Sequence, residues 1–386
     1  MKFTRHLPIQ TRRDAWVEVD LGAIEQNVRE IRRRIPSDIT LMAVVKADAY
    51  GHGAVMVIPT LQAAGVKMVG VAAMDEALQI RAAGLDIPIL VIGAVPDWAL
   101  DTAVEKDIAL TIFSDQHLDN LEKNYQLTGK PVTVHIKVDT GMHRIGMPWK
   151  QAADFTARCQ ASKAVTVAGV FSHLAYADNK SFTQTQLDRW QVVLKDIQEL
   201  PAYVHIGNST AALTLPNIPG NLVRMGIGFF GYGPPNLNND EGWPELIPAM
   251  GLKARITSLQ NVEPGEAISY GPWIEGDQPD KKDRRVIATL PLGYADGVFR
   301  NLSGKINALY KGQHICQVGN ITMDQMMMDV THIADPAVGE VVTLLGREGS
   351  GNEQITLTNW ADALSTIEYE LMCALRVRLP KIYTRT

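Results

Sequence analysis

A lysine followed by a loop of small residues is the first candidate for chemistry in this sequence. Residues 41–53 read LMAVVKADAYGHG, an apolar stretch that ends at Lys46 and passes into a turn with two glycines. Such a run predicts a buried strand that delivers an amine to the mouth of a pocket. Most lysines only cover apolar surface with their stems, so Lys46 needs support from other residues before it counts as reactive.

Four further apolar runs carry ionisable or polar side chains at their ends. These side chains are Lys137 and Asp139, His173, Asn208 and Ser209, and Arg224. In a barrel of alternating strands and helices, the carboxyl ends of the strands meet on one face. We therefore expect these groups to share one site with Lys46.

Two glycine-containing motifs, GNST at 207–210 and RMGIGFFGYG at 224–233, have the backbone amides and hydroxyls to hold an anion. The loops after strands seven and eight are the usual phosphate site of such a barrel. A helix N-cap at Asn208 or Ser209 explains GNST equally well. A phosphate site, a lysine and an imidazole together indicate an aromatic, phosphorylated aldehyde held as a Schiff base, and pyridoxal phosphate is the obvious candidate.

The elements that must position these groups alternate regularly. Near-continuous apolar runs fit parallel strands that are covered on both faces, and amphipathic segments separate them. The eight runs are Leu41–Ala47, Met68–Ala73, Pro88–Gly93, Ile108–Phe113, Val132–Asp139, Val165–His173, Tyr203–Gly207 and Leu222–Phe230. A count of eight predicts a closed (β/α)8 barrel of the TIM type, an α/β fold, rather than an open sheet.

The sequence pattern changes after the predicted barrel. After a proline- and asparagine-rich stretch at 234–248, which we interpret as a linker, six short β-rich runs predict a mainly β C-terminal domain. They are Leu252–Asn261, Val286–Leu290, Ile306–Tyr310, His314–Val318, Met326–Val330 and Glu340–Leu345. The tail from Asn359 to Leu379 has helical spacing. We predict a barrel domain over 17–245, beginning with a strand at Trp16–Asp20, and a β domain over 246–386 that includes residues 1–16.

Composition excludes several classes of partner. Thirty-seven basic and 42 acidic residues give a net charge of -5, and no long basic block suggests nucleic acid or a membrane surface. The N-terminus lacks the apolar core of a signal peptide, so we expect a cytoplasmic protein. The three cysteines are far apart and the histidines lack HExxH spacing, so we expect neither a disulfide framework nor a metal site.

Seven motifs in register resemble the alanine racemase family, whose members bind pyridoxal phosphate and combine a barrel with an appended β domain. The motifs are AVVKADAYGHG, IKVDTGMHRIG, HIGNSTAAL, VRMGIGFFGYG, ISYG, PLGYADG and ITMDQ, and the similarity extends from about Trp16 to Tyr369. The resemblance implies an isomerase that interconverts L-alanine and D-alanine by a two-base mechanism on a pyridoxal-phosphate aldimine and supplies D-alanine for peptidoglycan.

The resemblance also implies residue roles. Lys46 and Tyr270 match the two catalytic bases, and Lys46 also carries the cofactor. Further cofactor-binding positions are matched by Tyr50, His173, Asn208, Ser209, Arg224, Gly226, Ile227 and Tyr232, and substrate-binding positions by Arg144, Met323, Asp324, Tyr294 and Tyr369. Lys137 matches a lysine that is often carbamylated. The family arrangement is a homodimer in which the β domain of each subunit completes the active site of its partner.

Two rival functions are weakened by single residues. A related decarboxylase usually keeps an acidic residue at the pyridine nitrogen, whereas Arg224 can only donate a hydrogen bond there. A pyridoxal-phosphate carrier resembles the barrel alone, so the β domain with Tyr270 weighs against it. The stretch 272–285 and Asn320, where an arginine is common, depart from the family pattern, so a broader racemase that accepts serine stays open.

Overall fold

A computed structural model describes residues 13–177, 179–215, 217–233, 245–270, 284–349, 353–375 and 378–386. The chain forms two compact units. One, the barrel unit, consists of Ile24–Ala49 and Ala54–Leu246, and the other, the β unit, consists of the chain up to Ala23, Tyr50–Gly53 and Ile247–Thr386.

The described elements are numbered along the chain. The strands are β1 (Ala15–Asp20), β2 (Thr40–Val44), β3 (Met68–Val71), β4 (Ile89–Val91), β5 (Ala109–Ile112), β6 (Val132–Asp139), β7 (Met147–Pro148), β8 (Val165–Phe171), β9 (Tyr203–His205), β10 (Leu222–Met225), β11 (Met250–Arg255), β12 (Ser258–Val262), β13 (Arg285–Leu290), β14 (Asn307–Tyr310), β15 (Gln313–Val318), β16 (Met326–Asp329), β17 (Val341–Arg347), β18 (Gln354–Ile355) and β19 (Lys381–Thr384). The helices are α1 (Leu21–Arg34), α2 (Lys46–Tyr50), α3 (Ala54–Ala63), α4 (Met74–Ala82), α5 (Leu100–Glu105), α6 (Asp115–Thr128), α7 (Ala152–Ala161), α8 (Lys180–Asp196), α9 (Ser209–Thr214), α10 (Leu357–Leu364) and α11 (Glu368–Ala374).

The barrel unit is built on eight parallel strands in the order β10-β2-β3-β4-β5-β6-β8-β9, and the short β7 pairs with β6. Backbone hydrogen bonds also join the β9 and β10 segments. The amide of Asn221 donates to the carbonyl of Val204 at 2.9 Å, and that of Arg224 to the carbonyl of Gly207 at 3.1 Å. The predicted parallel eight-stranded barrel is therefore confirmed.

Apolar side chains fill part of the barrel interior. Met42, Met68, Leu90 and Leu222 come from four strands and form one buried cluster. Such layers make the barrel a packed core that holds its strand ends at fixed positions.

An irregularity in the barrel makes room for an imidazole. The register between β6 and β8 shifts between Val134 and His135. A Cβ added at Gly169 of β8 would lie 2.3 Å from Nδ1 of His135. Only glycine at this position leaves space for the buried His135 ring.

The β unit is built on a ten-stranded sheet in the order β12-β13-β16-β15-β14-β17-β11-β1-β19, with β18 paired to β17. A mainly β second domain is therefore confirmed. The first strand belongs to this sheet, because β1 pairs antiparallel with β11 and parallel with β19. Residues 17–20, predicted to belong to the barrel domain, thus lie in the β unit.

Two expected elements of the β unit differ from the observed ones. The run predicted at Leu252–Asn261 is divided between β11 and β12. The helix predicted over the tail is two helices, since Ser365 takes a left-handed φ of 54° after α10 and α11 begins at Glu368. Most of the expected linker at 234–248 and of the unusual stretch at 272–285 lies outside the described residues.

Candidate active site

Lys46 directly precedes a left-handed turn that makes up the rest of the segment α2. The next four residues, Ala47, Asp48, Ala49 and Tyr50, have φ values of 53–56°. This conformation costs L-residues about 1–2 kcal/mol each and is rarely sustained over several residues. Asp48 supports the turn, since its Oδ1 accepts a hydrogen bond from the amide of Ala54 at 2.8 Å. Sustained backbone strain of this kind is typical of functional sites, where the surroundings hold it in place.

Arg224 lies in β10 with its guanidinium buried among acceptors. Its NH1 donates to Nδ1 of His205 at 2.8 Å, and its NH2 donates to Nδ1 of His173 at 3.1 Å and to the carbonyl of Ser172 at 2.8 Å. Burial, and then the charge of Arg144, lower the pKa of Arg224 to about 9. The group therefore stays charged at neutral pH and fixes the orientation of both imidazoles.

The hydrogen bonds that begin at Arg224 continue through two histidines inside the barrel. Because Arg224 only donates, Nδ1 of His205 accepts, and the proton of neutral His205 lies on Nε2. That nitrogen is 2.9 Å from Nδ1 of His135. Burial, and then the charge of Arg224, lower the pKa of His135 to about 3, and the same two causes lower that of His205. Arg224, His205 and His135 thus form a chain of hydrogen bonds with one direction and neutral imidazoles.

Lys137 is a buried amine in β6. Its Nζ lies 4.7 Å from the ring centre of Phe171. Burial lowers its pKa well below the ordinary value, and the charges of Arg224 and Arg144 lower it further. The environment therefore favours the neutral amine.

Positive charge accumulates around His173 at the end of β8. Burial lowers the pKa of His173 well below its ordinary value, and the charges of Arg224, Lys137, Arg144 and Lys46 lower it further. Repulsion among those of these groups that stay charged, Arg224 above all, would be relieved by a bound anion. The electrostatics of the barrel unit therefore fit a ligand that carries phosphate or carboxylate groups.

The loop that carries Arg144 is held by Asp139. Oδ1 of Asp139 accepts the backbone amides of Gly141, Met142 and His143 at 2.9–3.1 Å. Burial opposes ionisation of Asp139, but these hydrogen bonds, led by that of Gly141, outweigh it and lower the pKa. Arg144 itself is exposed at the end of this ordered loop.

The predicted phosphate site brings together the loops after β9 and β10. The amide of Gly226 donates to Oγ of Ser209 at 3.0 Å. Asn208 caps α9, since its side chain accepts the amide of Ala211 at 3.0 Å. Ile227 begins a 3₁₀ turn, Ile227–Phe230, and Tyr232 is buried just beyond it. The N-cap explanation of Asn208 is thus correct, and Ser209 and Gly226 lie side by side as a phosphate site requires.

Tyr270 is the most exposed of the predicted site residues in the β unit, with 74% of its surface accessible. Its backbone is nonetheless held. The side-chain amide of Asn320 donates to the carbonyl of Tyr270, and Oγ of Ser269 donates to the carbonyl of Asn320 at 2.6 Å. Asn320 therefore supports the segment that presents Tyr270.

Tyr294 and Met323 lie close together in the β unit. The amide of Tyr294 donates to the carbonyl of Thr322 at 3.0 Å, and that of Ala295 to the carbonyl of Met323 at 3.1 Å. A Cβ at Gly293 would lie 2.1 Å from the Thr322 carbonyl, so glycine is required for this approach. Both side chains are exposed, by 42% for Tyr294 and 53% for Met323.

Asp324 joins a charged network. Arg378 NH2 lies 2.7 Å from Oδ1 of Asp324, and its Nε lies 3.6 Å from the buried Asp296. Arg13 also binds Asp296, with 2.9 Å between NH2 and Oδ2. Asp324 is thus fixed by a cation of its own unit.

Tyr50 and Tyr369 meet edge to face, with ring centroids 5.8 Å apart. Burial, and then the charge of Glu368, raise the pKa of Tyr369 to about 12. Tyr369 therefore stays protonated at neutral pH and is unsuited to serve as a base.

The predicted residues fall into two groups. The barrel unit contains Lys46, Lys137, Arg144, His173, Asn208, Ser209, Arg224, Gly226, Ile227 and Tyr232, and the β unit contains Tyr50, Tyr270, Tyr294, Met323, Asp324 and Tyr369. His135 and His205 were missed. Their period-two spacing to Lys137 and Gly207 within strand runs is the sequence signal that could have placed them inside the barrel.

Family profiles match both parts of the chain. The N-terminal domain of alanine racemase matches residues 19–234 and its C-terminal domain matches residues 249–383. The alanine racemase of Nostoc sp. (strain PCC 7120 / SAG 25.82 / UTEX 2576) is 38% identical over 383 residues, which cover 95% of each chain. The chain belongs to the alanine racemase family.

Solved structures agree with this family assignment. Alanine racemase from Bacillus anthracis with bound L-Ala-P superposes with a TM-score of 0.87 at 35% identity, covering 98% of this chain and 97% of that one. Histidine racemase from Leuconostoc mesenteroides subsp. sake superposes with a TM-score of 0.88 at 30% identity, covering 97% and 99%. The shared fold therefore accommodates more than one amino-acid substrate.

Over the described ranges, no group of three or more His, Cys, Asp or Glu residues is arranged to hold a metal ion. No helix in the same part of the chain combines the length and apolar character needed to cross a membrane.

Proposed function

We propose that the protein interconverts L-alanine and D-alanine with pyridoxal phosphate as cofactor. The observation that carries the proposal is the buried guanidinium of Arg224, which donates to Nδ1 of both His173 and His205 at the strand ends of the barrel unit. Family membership supports the same conclusion.

The residues of the barrel unit fit pyridoxal phosphate. Lys46 would hold the aldehyde group. Arg224, His173 and Asn208 would surround the ring, and Ser209, Gly226, Ile227 and Tyr232 would bind the phosphate. Tyr50, which belongs to the β unit, matches a further phosphate-binding position of the family. When bound, the cofactor supplies an electron-withdrawing ring that lowers the cost of removing the α-proton of an amino acid.

Arg224 favours racemisation over the rival reactions. Its guanidinium presents a donor to a ring nitrogen, whereas a carboxylate would favour a protonated nitrogen and a stronger electron sink. The contacts of Arg224 with His205, His173 and Ser172 hold it in this role. A weaker sink disfavours transamination and decarboxylation.

Inversion of the α-carbon needs a base on each face of the substrate. We assign these roles to Nζ of Lys46 and Oη of Tyr270. Arg144 and the backbone of Met323 would hold the substrate carboxylate, with Asp324 nearby, and Tyr294 and Tyr369 would narrow the entrance. The left-handed turn after Lys46 and the support of Tyr270 by Asn320 are consistent with fixed positions for both bases.

We also propose that the active sites are shared within a homodimer. The exposure of Tyr270, Met323 and Tyr294 supports this, because such side chains in one unit are accessible to a second copy of the chain. Activity should then fall on dilution as dimers dissociate. Full specific activity in samples shown to be monomeric would contradict shared sites.

A broader substrate range is the second candidate. Asn320 replaces a common arginine, and a histidine racemase has the same fold. Serine is the first alternative substrate to test, and histidine the second.

The deciding experiment incubates the purified protein and pyridoxal phosphate with L-alanine, L-serine, L-histidine or L-lysine, followed by chiral chromatography. We expect racemisation of alanine, a loss of about a thousandfold or more in Lys46→Ala and a smaller loss in Tyr270→Phe. Lys67→Ala, at an exposed lysine of the barrel unit, is the matched control. Comparable turnover of serine or histidine would establish the broader range, and release of carbon dioxide without racemisation would refute the proposal.

We propose that Lys137 is carbamylated. Its neutral amine would attack carbon dioxide, forming an N–C bond and releasing a proton, and the new carboxylate would lie among the cations that now lower its pKa. After equilibration with ¹³C-bicarbonate, a carbamate signal should appear in the wild type and be absent in Lys137→Gln, while the exposed control Lys163→Gln retains it. A wild-type spectrum without this signal would contradict carbamylation.

Two broader expectations stay predictions. They are a cytoplasmic location and a supply of D-alanine for peptidoglycan.

A further inference from the structure

Glu76 links the ends of two neighbouring barrel strands. It lies in the first turn of α4, directly after β3. Its Oε1 accepts the backbone amide of Ala47 at 2.6 Å, and its Oε2 accepts the backbone amide of Ala72 at 2.7 Å. Ala47 is the first residue of the left-handed turn after β2, and Ala72 follows the last residue of β3. One carboxylate therefore ties the strained turn to the adjacent strand.

The hydrogen bond to Ala47 acts on the peptide that follows Lys46. This amide belongs to the peptide plane between Lys46 and Ala47, so holding it restricts ψ of Lys46 and the direction of its Cα–Cβ bond. The turn is intrinsically unfavourable for L-residues, and it needs external support to keep one geometry. Glu76 supplies that support from a helix.

We propose that Glu76 is a positioning residue that aims Lys46 for proton transfer. The proposal rests on the proposed function of Lys46 and adds a residue that acts on it through the backbone alone. A displacement of about 1 Å in a reacting group is enough to slow catalysis severely, so the backbone contact has a measurable consequence.

Glutamine is the informative substitution at this position. An ionised carboxylate offers two acceptor oxygens, whereas a carboxamide of the same size offers one acceptor and one donor. In Glu76→Gln, one of the two amides must therefore face an NH2 group. Asp75→Asn is the matched control, because Asp75 is exposed, adjacent in the same helical turn and loses the same charge.

The experiment compares the wild-type holoenzyme with Glu76→Gln, Glu76→Ala and Asp75→Asn. It measures kcat and KM for L-alanine, the absorption band of the bound cofactor without substrate, and residue-level hydrogen exchange. For Glu76→Gln we expect kcat to fall about tenfold with KM within about twofold, because positioning acts on the transition state. We also expect an altered absorption band and faster exchange at Ala47, with a larger effect in Glu76→Ala and none in Asp75→Asn.

Three results would overturn the proposal. One is Glu76→Gln with kcat, absorption and exchange equal to those of Asp75→Asn. Another is a loss of activity that is fully explained by a smaller fraction of folded, cofactor-loaded protein, since such a loss indicates a structural role. If neither Glu76 variant folds, hydrogen exchange of the wild type decides. Fast exchange at the amides of Ala47 and Ala72 would then contradict the two hydrogen bonds to Glu76.

The proposed function can fail separately. A wild type that does not racemise alanine, or a Lys46→Ala variant that does, contradicts that function. Slow exchange at Ala47 would then still support the contact with Glu76.

Discussion

His135 shows how burial of an ionisable side chain links stability to pH. Its pKa of about 3 in the folded protein lies below the ordinary value of 6.5. Between these values the unfolded chain binds a proton that the folded chain excludes, so the free energy of unfolding falls as pH drops from about 6.5 towards 3. The upper bound of this contribution is about 5 kcal/mol.

We expect His135→Gln to flatten this decline, because its carbonyl oxygen accepts from His205 without titrating. Urea unfolding of the apoprotein at a series of pH values measures the slope. His332→Gln, at an exposed position, controls for the substitution itself. Equal slopes in the wild type and His135→Gln would show that His135 does not carry the effect.

Some site residues were predictable because their signals are local. Lys137 and Asp139 lie at the end of an apolar run whose alternation places side chains on one face, and motif order supplied Tyr270 and Met323. His205, His135 and Glu76 were not predictable in the same way. Their roles depend on which strands become neighbours, and a hydrogen bond between Glu76 and Ala47 has no signature in either segment.

At the scale of elements, the barrel strands were predicted well because most of their residues are buried on both faces. The predicted ends of the strands were less accurate than their predicted positions. The run predicted over Leu222–Phe230 stops as a strand at Met225 and continues as a 3₁₀ turn. Gly226 and Gly228 change the backbone there without interrupting the apolar pattern, so periodicity alone could not place the boundary.

The left-handed turn after β2 gives a test of backbone strain. Replacing Ala47 with glycine relieves an unfavourable φ of 53°, while adding conformational freedom to the unfolded chain. We expect Ala47→Gly to lower the free energy of unfolding by less than about 1 kcal/mol or to raise it. Ala157→Gly, at an exposed position inside α7, should cost about 1 kcal/mol.

Thermal or urea unfolding of the two variants makes the comparison. If Ala47→Gly costs as much as Ala157→Gly, the turn is not strained. The comparison uses stability and not activity, because Ala47 is adjacent to Lys46.

At the scale of the molecule, the two units do not follow the chain in simple order. β1 joins the sheet of the β unit through β11 and β19, which are far away in sequence. Its alternating pattern predicted a strand but carried no information about its partners. For this reason the sequence placed residues 17–20 in the barrel, and the structure places them in the other unit.

The proposed dimer can be tested by mixing two variants that each have reduced activity. If Tyr270 acts on the site that contains Lys46 of the partner, a heterodimer of Lys46→Ala and Tyr270→Phe has one intact site and one doubly altered site. Random exchange of equal amounts should then restore about a quarter of the wild-type activity, because half of the dimers are mixed. If the two bases belong to one chain, mixing restores nothing beyond the average of the two variants. Native mass spectrometry of the same mixture measures how many mixed dimers have formed. If mixed dimers have formed and no activity is recovered, the result counts against shared sites.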